Sequence, residues 1–324
     1  MIIKNLYRTA LIDPCSLGAD ELRIVSGYAT SAMASRHIED IQKINPSVKI
    51  SLLVGMCPID GIALGNHRGF QQIATNVPNN FVCSYITSPP PVHGKLYIWY
   101  QEKQLLKSFI GSANYTQTAF FDHQREMLSE FFDSDVTSYY DSLVGDSIYC
   151  NHGEIENHLC VHNDKHYYHR HPNEDSANHN LPVFDTEGLP NVRASLLGKN
   201  GRIQRRGGLN WGQRPSRDSN QAYIQLLPEV YRSDFFPPKP QQFTIMTDDS
   251  KVLICVRAEK PKMEKGGCVI HSTKNSLMGE YFRNRLGVAS GTFVTKEDLE
   301  RYGRTDVVFY KLDDEHYYMD FSVR

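Results

Sequence analysis

The chain has no apolar run of about 18 residues, the length a helix needs to span a bilayer, so no membrane span is expected. Its start, Met1 to Arg8, lacks the long apolar core and small-residue cleavage site of a signal peptide, so a cytoplasmic location is expected. Cysteine is sparse and odd in number: seven, at 15, 57, 83, 150, 160, 255 and 268, several within apolar segments such as Leu253-Ile254-Cys255-Val256. That scatter argues against a disulfide framework and for buried thiols. There is no G-x-x-x-x-G-K-[ST] loop, so any use of ATP would belong to a partner. No internal repeat is visible. One local absence stands out. Between 193 and 217 there is no Asp or Glu, although seven Lys or Arg fall there.

With 324 residues, 40% hydrophobic and 22% charged, the chain is long enough for two domains with separate cores. The division expected is 1–180 and 181–324. The overall charge is −2, split as −6 over residues 1–180 and +4 over the remainder. The basic stretch reads as solvated loop unless aromatic and amide groups are interleaved with it. Asn210, Trp211 and Gln213 are, which favours contact with a polyanion.

In the first half, strands are expected at 22–28, 48–55 and 81–86, with helices over 31–44 and 67–75 between them and another over 136–143. Apolar strands alternating with helices argue an α/β domain with a largely parallel sheet covered on both faces. Residues 150–190 hold seven of the thirteen His and read as a polar linker. His158, Cys160 and His162 would share one face of a strand, which invites a metal site, but the pattern lacks a fourth ligand and the linker reading is preferred. Beyond 190, six short apolar runs at 222–226, 242–245, 251–256, 268–271, 307–312 and 317–321 suggest a small barrel. Helices interrupt it at 277–286 and 296–302, the second capped by Thr295 with Asp298 three positions on.

The chemistry concentrates in 92–130. In extended chain His93 and Lys95 share a face. Gly111-Ser112-Ala113-Asn114 ends the next strand in a turn rich in donors that could hold phosphate oxygens. A His beside fixed donors and a Lys can act as a nucleophile on phosphorus or as the acid for the leaving oxygen. A carboxylate follows at Glu126 or Glu130, four positions apart on one face of the apolar stretch 126–132.

His93-Gly94-Lys95 followed by Gly111-Ser112-Ala113-Asn114 resembles the phospholipase D superfamily, whose signature is H-x-K, then an Asp, then G-S-x-N. The Asp would fall near Tyr100, which is not acidic. This resembles the nuclease branch in which a downstream Glu, here Glu126, serves instead. The resemblance implies catalytic roles for His93, Lys95, Ser112, Asn114 and Glu126, no metal, no cofactor and a phosphohistidine intermediate. The superfamily pairs two such motifs. His271-Ser272-Thr273-Lys274 is out of register and lacks G-S-x-N, so a homodimer with two His93 facing each other is implied.

Residues 207–217, 273–286 and 303–307, with the Tyr-rich end, are similar to the C-terminal part of restriction endonucleases of the phospholipase D class. That likeness covers nearly the whole chain. It implies a mixed sheet flanked by helices in the first domain and, in the second, a mostly-β pseudobarrel like the B-three domain of plant transcription factors, gripping double-stranded DNA with two arms. The first arm, around 202–220, would offer Arg202, Arg205, Asn210, Trp211, Gln213, Arg214, Arg217 and Asn220. The second, around 271–285, would offer Lys274, Asn275, Arg283 and Arg285. Trp211 is equally readable as a core aromatic, and Arg283 and Arg285, two apart on a helix, cannot both face one way. The implied activity is metal-independent, site-specific cleavage of DNA. The alternatives are a nuclease subunit served by a separate ATP-driven partner, or a phosphodiesterase of the superfamily with another substrate.

Overall fold

A computed structural model describes residues 1–121, 124–162, 185–198, 200–258 and 268–323. The chain divides into two compact units, residues 1–183 and 184–324. Among the described residues no helix is long and apolar enough to cross a membrane. All seven cysteines are free thiols and buried.

The first unit contains strands β1 (Glu21–Ser26), β2 (Lys49–Val54), β3 (Ile62–Ala63), β4 (Phe81–Ile86), β5 (Lys95–Gln101), β6 (Gln104–Gly111), β7 (Leu128–Glu130), β8 (Ser147–Tyr149) and β9 (Val161–His162). Seven of them form one sheet in the order β7-β6-β5-β1-β2-β4-β8. Within that sheet β1–β2 and β2–β4 pair in parallel, whereas β5, β6, β7 and β8 join antiparallel. The sheet is therefore mixed, with a parallel centre, rather than largely parallel. The helix connections between β1, β2 and β4 enforce parallel pairing, whereas the two-residue connection between β5 and β6 permits only a hairpin. The helix Ser31–Gln42 starts at Thr30, whose side chain accepts from the Met33 N–H, and Leu64–Asn76 runs beyond both ends of the expected 67–75.

His37 and His67 are fully buried in this unit. His37 has Nδ1 2.8 Å from the Tyr115 hydroxyl and Nε2 2.8 Å from the Leu11 carbonyl. His67 has Nδ1 3.0 Å from the Tyr85 hydroxyl. Burial pulls each pKa down to about 4. In the unfolded chain each titrates near about 6.5. Between those values the unfolded chain binds a proton that the folded chain does not, so stability falls as pH drops through that window. Each His should cost about 2 kcal/mol at pH 5 relative to pH 7.5. Urea unfolding at the two pH values should show a lower midpoint at pH 5, with a smaller drop in His37→Asn. A midpoint that stays constant would refute this.

The polar stretch beyond 150 is not uniformly linker. Residues Ile155–His158 form a helical turn, and β9 pairs in parallel with β3. His158 is exposed on that turn, Cys160 is buried, and His162 Nε2 lies 3.0 Å from the Asp60 carbonyl, so strand alternation does not bring the three together. Among the described residues no group of three or more His, Cys, Asp or Glu could hold a metal ion. His152 is exposed, and His166, His169, His171 and His179 lie outside the described residues.

The second unit contains β10 (Asn191–Ser195), β11 (Ile224–Gln225), β12 (Gln242–Thr247), β13 (Val252–Ala258), β14 (Val269–Ser272), β15 (Asp306–Lys311) and β16 (His316–Asp320). They form one sheet in the order β10-β15-β16-β12-β13-β14-β11, antiparallel except for β12–β16, and its outer strands β10 and β11 lie side by side. The result is a nearly closed barrel around Phe236, Phe243, Phe282, Phe309 and Tyr317. The helices Leu277–Leu286 and Lys296–Tyr302 fall where the spacing places them, and the second carries the full capping box of Thr295 and Asp298. Strand β10 is absent from the sequence reading. Its Asn-Val-Arg-Ala-Ser run is too polar to signal a strand, and pairing with β15 from Asn191↔Tyr310 to Ser195↔Asp306 creates it.

Candidate active site

Lys95 opens β5 opposite Ser26, the last residue of β1. The conserved geometry of an α/β sheet puts binding groups at the carboxyl ends of its parallel strands, and the cluster described here sits at the ends of β1 and β2. His93 precedes β5 rather than lying within the strand. Lys95 is buried, its Nζ donating to the His93 carbonyl at 2.7 Å and lying 3.0 Å from Nε2 of the exposed imidazole. Burial lowers the pKa of this ammonium, while the charge of Glu126 works the other way.

Gly111 ends β6 where a side chain has no room: a Cβ there would lie 2.1 Å from the Met127 carbonyl oxygen. That close approach brings the segment before β7 against the Gly-Ser-Ala-Asn turn. Ser112 Oγ makes a short hydrogen bond to Glu126 Oε2 and accepts from the Met127 N–H at 3.1 Å. Asn114 Oδ1 accepts from the Tyr28 N–H at 3.2 Å and lies 3.5 Å from Ser26 Oγ. With its oxygen taken up from behind, the amide of Asn114 has an NH2 group with no acceptor among the described residues, available to donate elsewhere.

The two carboxylates have different surroundings. Glu130 pairs with Phe109 in the β6–β7 register and takes the Lys107 Nζ at 2.6 Å, whereas Glu126 bonds Ser112 and acts electrostatically on Lys95. The strand expected over 126–132 is only Leu128–Glu130, so Glu126 and Glu130 do not share a strand face. Tyr100 pairs with Glu21 at the other end of β5, and its hydroxyl lies 2.7 Å from Thr137 Oγ1. Five residues of strand put it about 16 Å from Lys95. An acid at position 100 would not reach the cluster.

In the barrel the basic residues divide sharply. Arg202, Arg205, Arg206, Arg214, Arg217 and Lys274 are exposed. Arg214 Nε donates to the Arg206 carbonyl at 2.8 Å, and Arg217 lies 4.2 Å over the Trp211 ring while donating to Gln221. Trp211 is half-buried, packed on Tyr223 and His271, so it is both a packing residue and a platform. Gln213 is also half-buried and donates to the Ser219 and Gly291 carbonyls. Asn275 is partly buried beside Lys274, and its backbone carbonyl accepts from Ala222.

Four expected DNA contacts are internal instead. Arg283 is fully buried and donates to the carbonyls of Gly279, Leu209 and Thr292. Arg285 is bound to Asp248 and Asp249 and flanked by the Tyr281 and Tyr302 hydroxyls. Asn210 is fully buried and bridges to both backbone groups of Val294. Asn220 bonds Ser290 and Gly291. Their polar atoms are spent on joining loops to the barrel, which corrects the assignment of these four to DNA.

Residues 4–157 match the model of the NgoFVII restriction endonuclease N-terminal PLD domain, and residues 185–313 match the NgoFVII C-terminal B3-like DNA-binding domain. The chain belongs to the NgoFVII restriction endonuclease family. It is an endodeoxyribonuclease, with a phospholipase D-type nuclease domain and a domain that binds double-stranded DNA. No curated protein matches it. Among solved structures it is similar to NucT from Helicobacter pylori, at 16% identity over 46% of this chain and 96% of that one, with a TM-score of 0.32. It is also similar to polyphosphate kinase from Porphyromonas gingivalis, at 10% identity over 45% of this chain and 24% of that one, with a TM-score of 0.29.

In this NgoFVII-family nuclease the cluster has members that the motif alone does not reveal. Ser26 Oγ accepts from the Tyr115 N–H at 2.9 Å and donates to the Tyr28 carbonyl, tying the end of β1 to the Asn114 turn. Gly27 makes the room between them. A Cβ there would lie 3.1 Å from His93 Cδ2 and 3.5 Å from Asn114 Oδ1. In the sequence Gly27 signals only a turn. Its relation to His93 spans 66 positions and exists only after β1 and β5 pair.

Proposed function

We propose that this restriction endonuclease cleaves double-stranded DNA at specific sites, without a metal, through a covalent phosphohistidine at an active site shared by two copies of the chain. The gathering of His93, Lys95, Ser112, Asn114 and Glu126 at one end of the sheet carries this reading. His93 of one copy attacks phosphorus, forming the P–N bond as the P–O bond to the leaving nucleoside breaks. His93 of the other copy protonates that oxygen, then as a base takes a proton from the water that cleaves the P–N bond. Lys95 and the amide NH2 of Asn114 hold the phosphate oxygens as charge accumulates on them. Glu126 accepts from Ser112 and fixes its hydroxyl. One chain carries a single set of these groups, and the reaction requires a nucleophile and an acid on opposite sides of phosphorus, which is why two copies are invoked.

In the barrel, the exposed Arg202, Arg205, Arg214, Arg217 and Lys274 are suited to phosphate and base edges, with Trp211, Gln213 and Asn275 beside them. Digestion of plasmid and phage DNA in excess chelator, without ATP, tests the proposal. Discrete fragments with a constant sequence at their ends are expected. Loss of cleavage in chelator would overturn the metal-free mechanism, and randomly placed ends would overturn site specificity.

A further inference from the structure

We infer that Tyr28 is a positioning residue for His93 and that Asp60 is its anchor. This rests on the catalytic reading of His93 given above. The Tyr28 backbone is held on both sides, its N–H by Asn114 Oδ1 and its carbonyl by Ser26 Oγ. Its ring stands edge-on to the His93 imidazole, with centroids 6.1 Å apart and planes at 79°. The ring is 42% exposed, so packing alone does not fix it. Its hydroxyl makes a short hydrogen bond to Asp60 Oδ2. Asp60 closes the short helix Cys57–Asp60, its N–H donating to Met56 at 2.9 Å and its carbonyl facing His162 Nε2. Burial and the Asp60 charge push the Tyr28 phenol up to about 12, so it remains a donor throughout the range in which a DNA nuclease works.

The exposed imidazole is thus bounded by Lys95, by the bare backbone of Gly27 and by the Tyr28 ring. Removing the third wall leaves its side-chain torsion free to swing away from phosphorus. Small misplacements of a reacting group are costly, since an error of about 1 Å can lower a rate by about a hundredfold. Tyr28 touches no reacting atom in this scheme; it acts through His93.

The test uses the full chain and a chromogenic diester, bis(p-nitrophenyl) phosphate, which bypasses sequence recognition. Tyr28→Phe retains the ring but loses the anchor, and kcat should fall about five- to tenfold with KM unchanged. Asp60→Ala should match it, and the double variant should be no worse than either single. Asp60→Asn, which keeps an acceptor, should restore most of the rate. Thermal unfolding of all variants should remain at the wild-type temperature. A wild-type kcat in Tyr28→Phe, a loss confined to KM, or strictly multiplicative losses in the double variant would overturn the inference while leaving His93 catalytic. Wild-type turnover in His93→Ala would remove the catalytic reading itself, and this inference with it.

Discussion

His93→Ala is expected to lower DNA cleavage by at least about 10⁴-fold, because it removes the nucleophile and its acid partner at once. The imidazole is exposed and its contacts are with Lys95 and Tyr28, so thermal unfolding and DNA binding should be unchanged. A subunit-mixing experiment sharpens the test. If one site is built from two chains, an equal mixture of wild-type and His93→Ala chains allowed to exchange should retain about a quarter of the activity; independent sites would retain about half. Retention of half would leave His93 catalytic but overturn the shared site. The carboxylate assignment is checked in parallel. Glu126→Gln leaves only a neutral acceptor for the Ser112 hydroxyl and removes the charge acting on Lys95, and should cost about 10²-fold. Glu130→Gln breaks only a pair with Lys107, and should leave cleavage within about twofold. The reverse ranking would return the role to Glu130.

Arg283→Met is expected to unfold the barrel domain more readily, by about 3–5 kcal/mol, because carbonyls on three separate segments, two of them buried, lose their donor together. Calorimetry of the full chain should show the barrel transition lowered by roughly 10 °C. Arg205→Ala provides the contrast. Its side chain is exposed, so unfolding should not move, while DNA affinity should fall with the salt slope reduced by about one. Weakened DNA binding by Arg283→Met with an unchanged unfolding transition would place Arg283 back at the DNA.

Both experiments turn on a distinction that residue type cannot make. Arg205 and Arg283 are the same side chain in basic, glycine-containing surroundings. Only the packing of the helix Leu277–Leu286 against the Gly208–Gln213 turn and the 288–294 loop decides that one guanidinium is in water and the other holds three carbonyls. The same holds for Asn210, which reads as a base-edge donor in sequence and joins two loops in the barrel.

What the sequence determined by itself was local. His93 and Lys95 are two residues apart, so extended chain would put them on one face, and Ser112 and Asn114 fall in one short turn. Helix limits such as Thr30 and Thr295 follow from capping groups a few residues away. The barrel strands 242–247, 252–258 and 306–311 carry enough apolar residues to identify themselves. Tertiary structure decided everything that depends on distant pairing. The β6–β7 register separated Glu126 from Glu130, β15 made a strand of 191–195, and the close of β1 against β5 brought Gly27 and Tyr28 to His93. Short-range pattern encodes which face of a segment is apolar. It does not encode which other segment that face meets, and a site built from four strand ends is a property of those meetings.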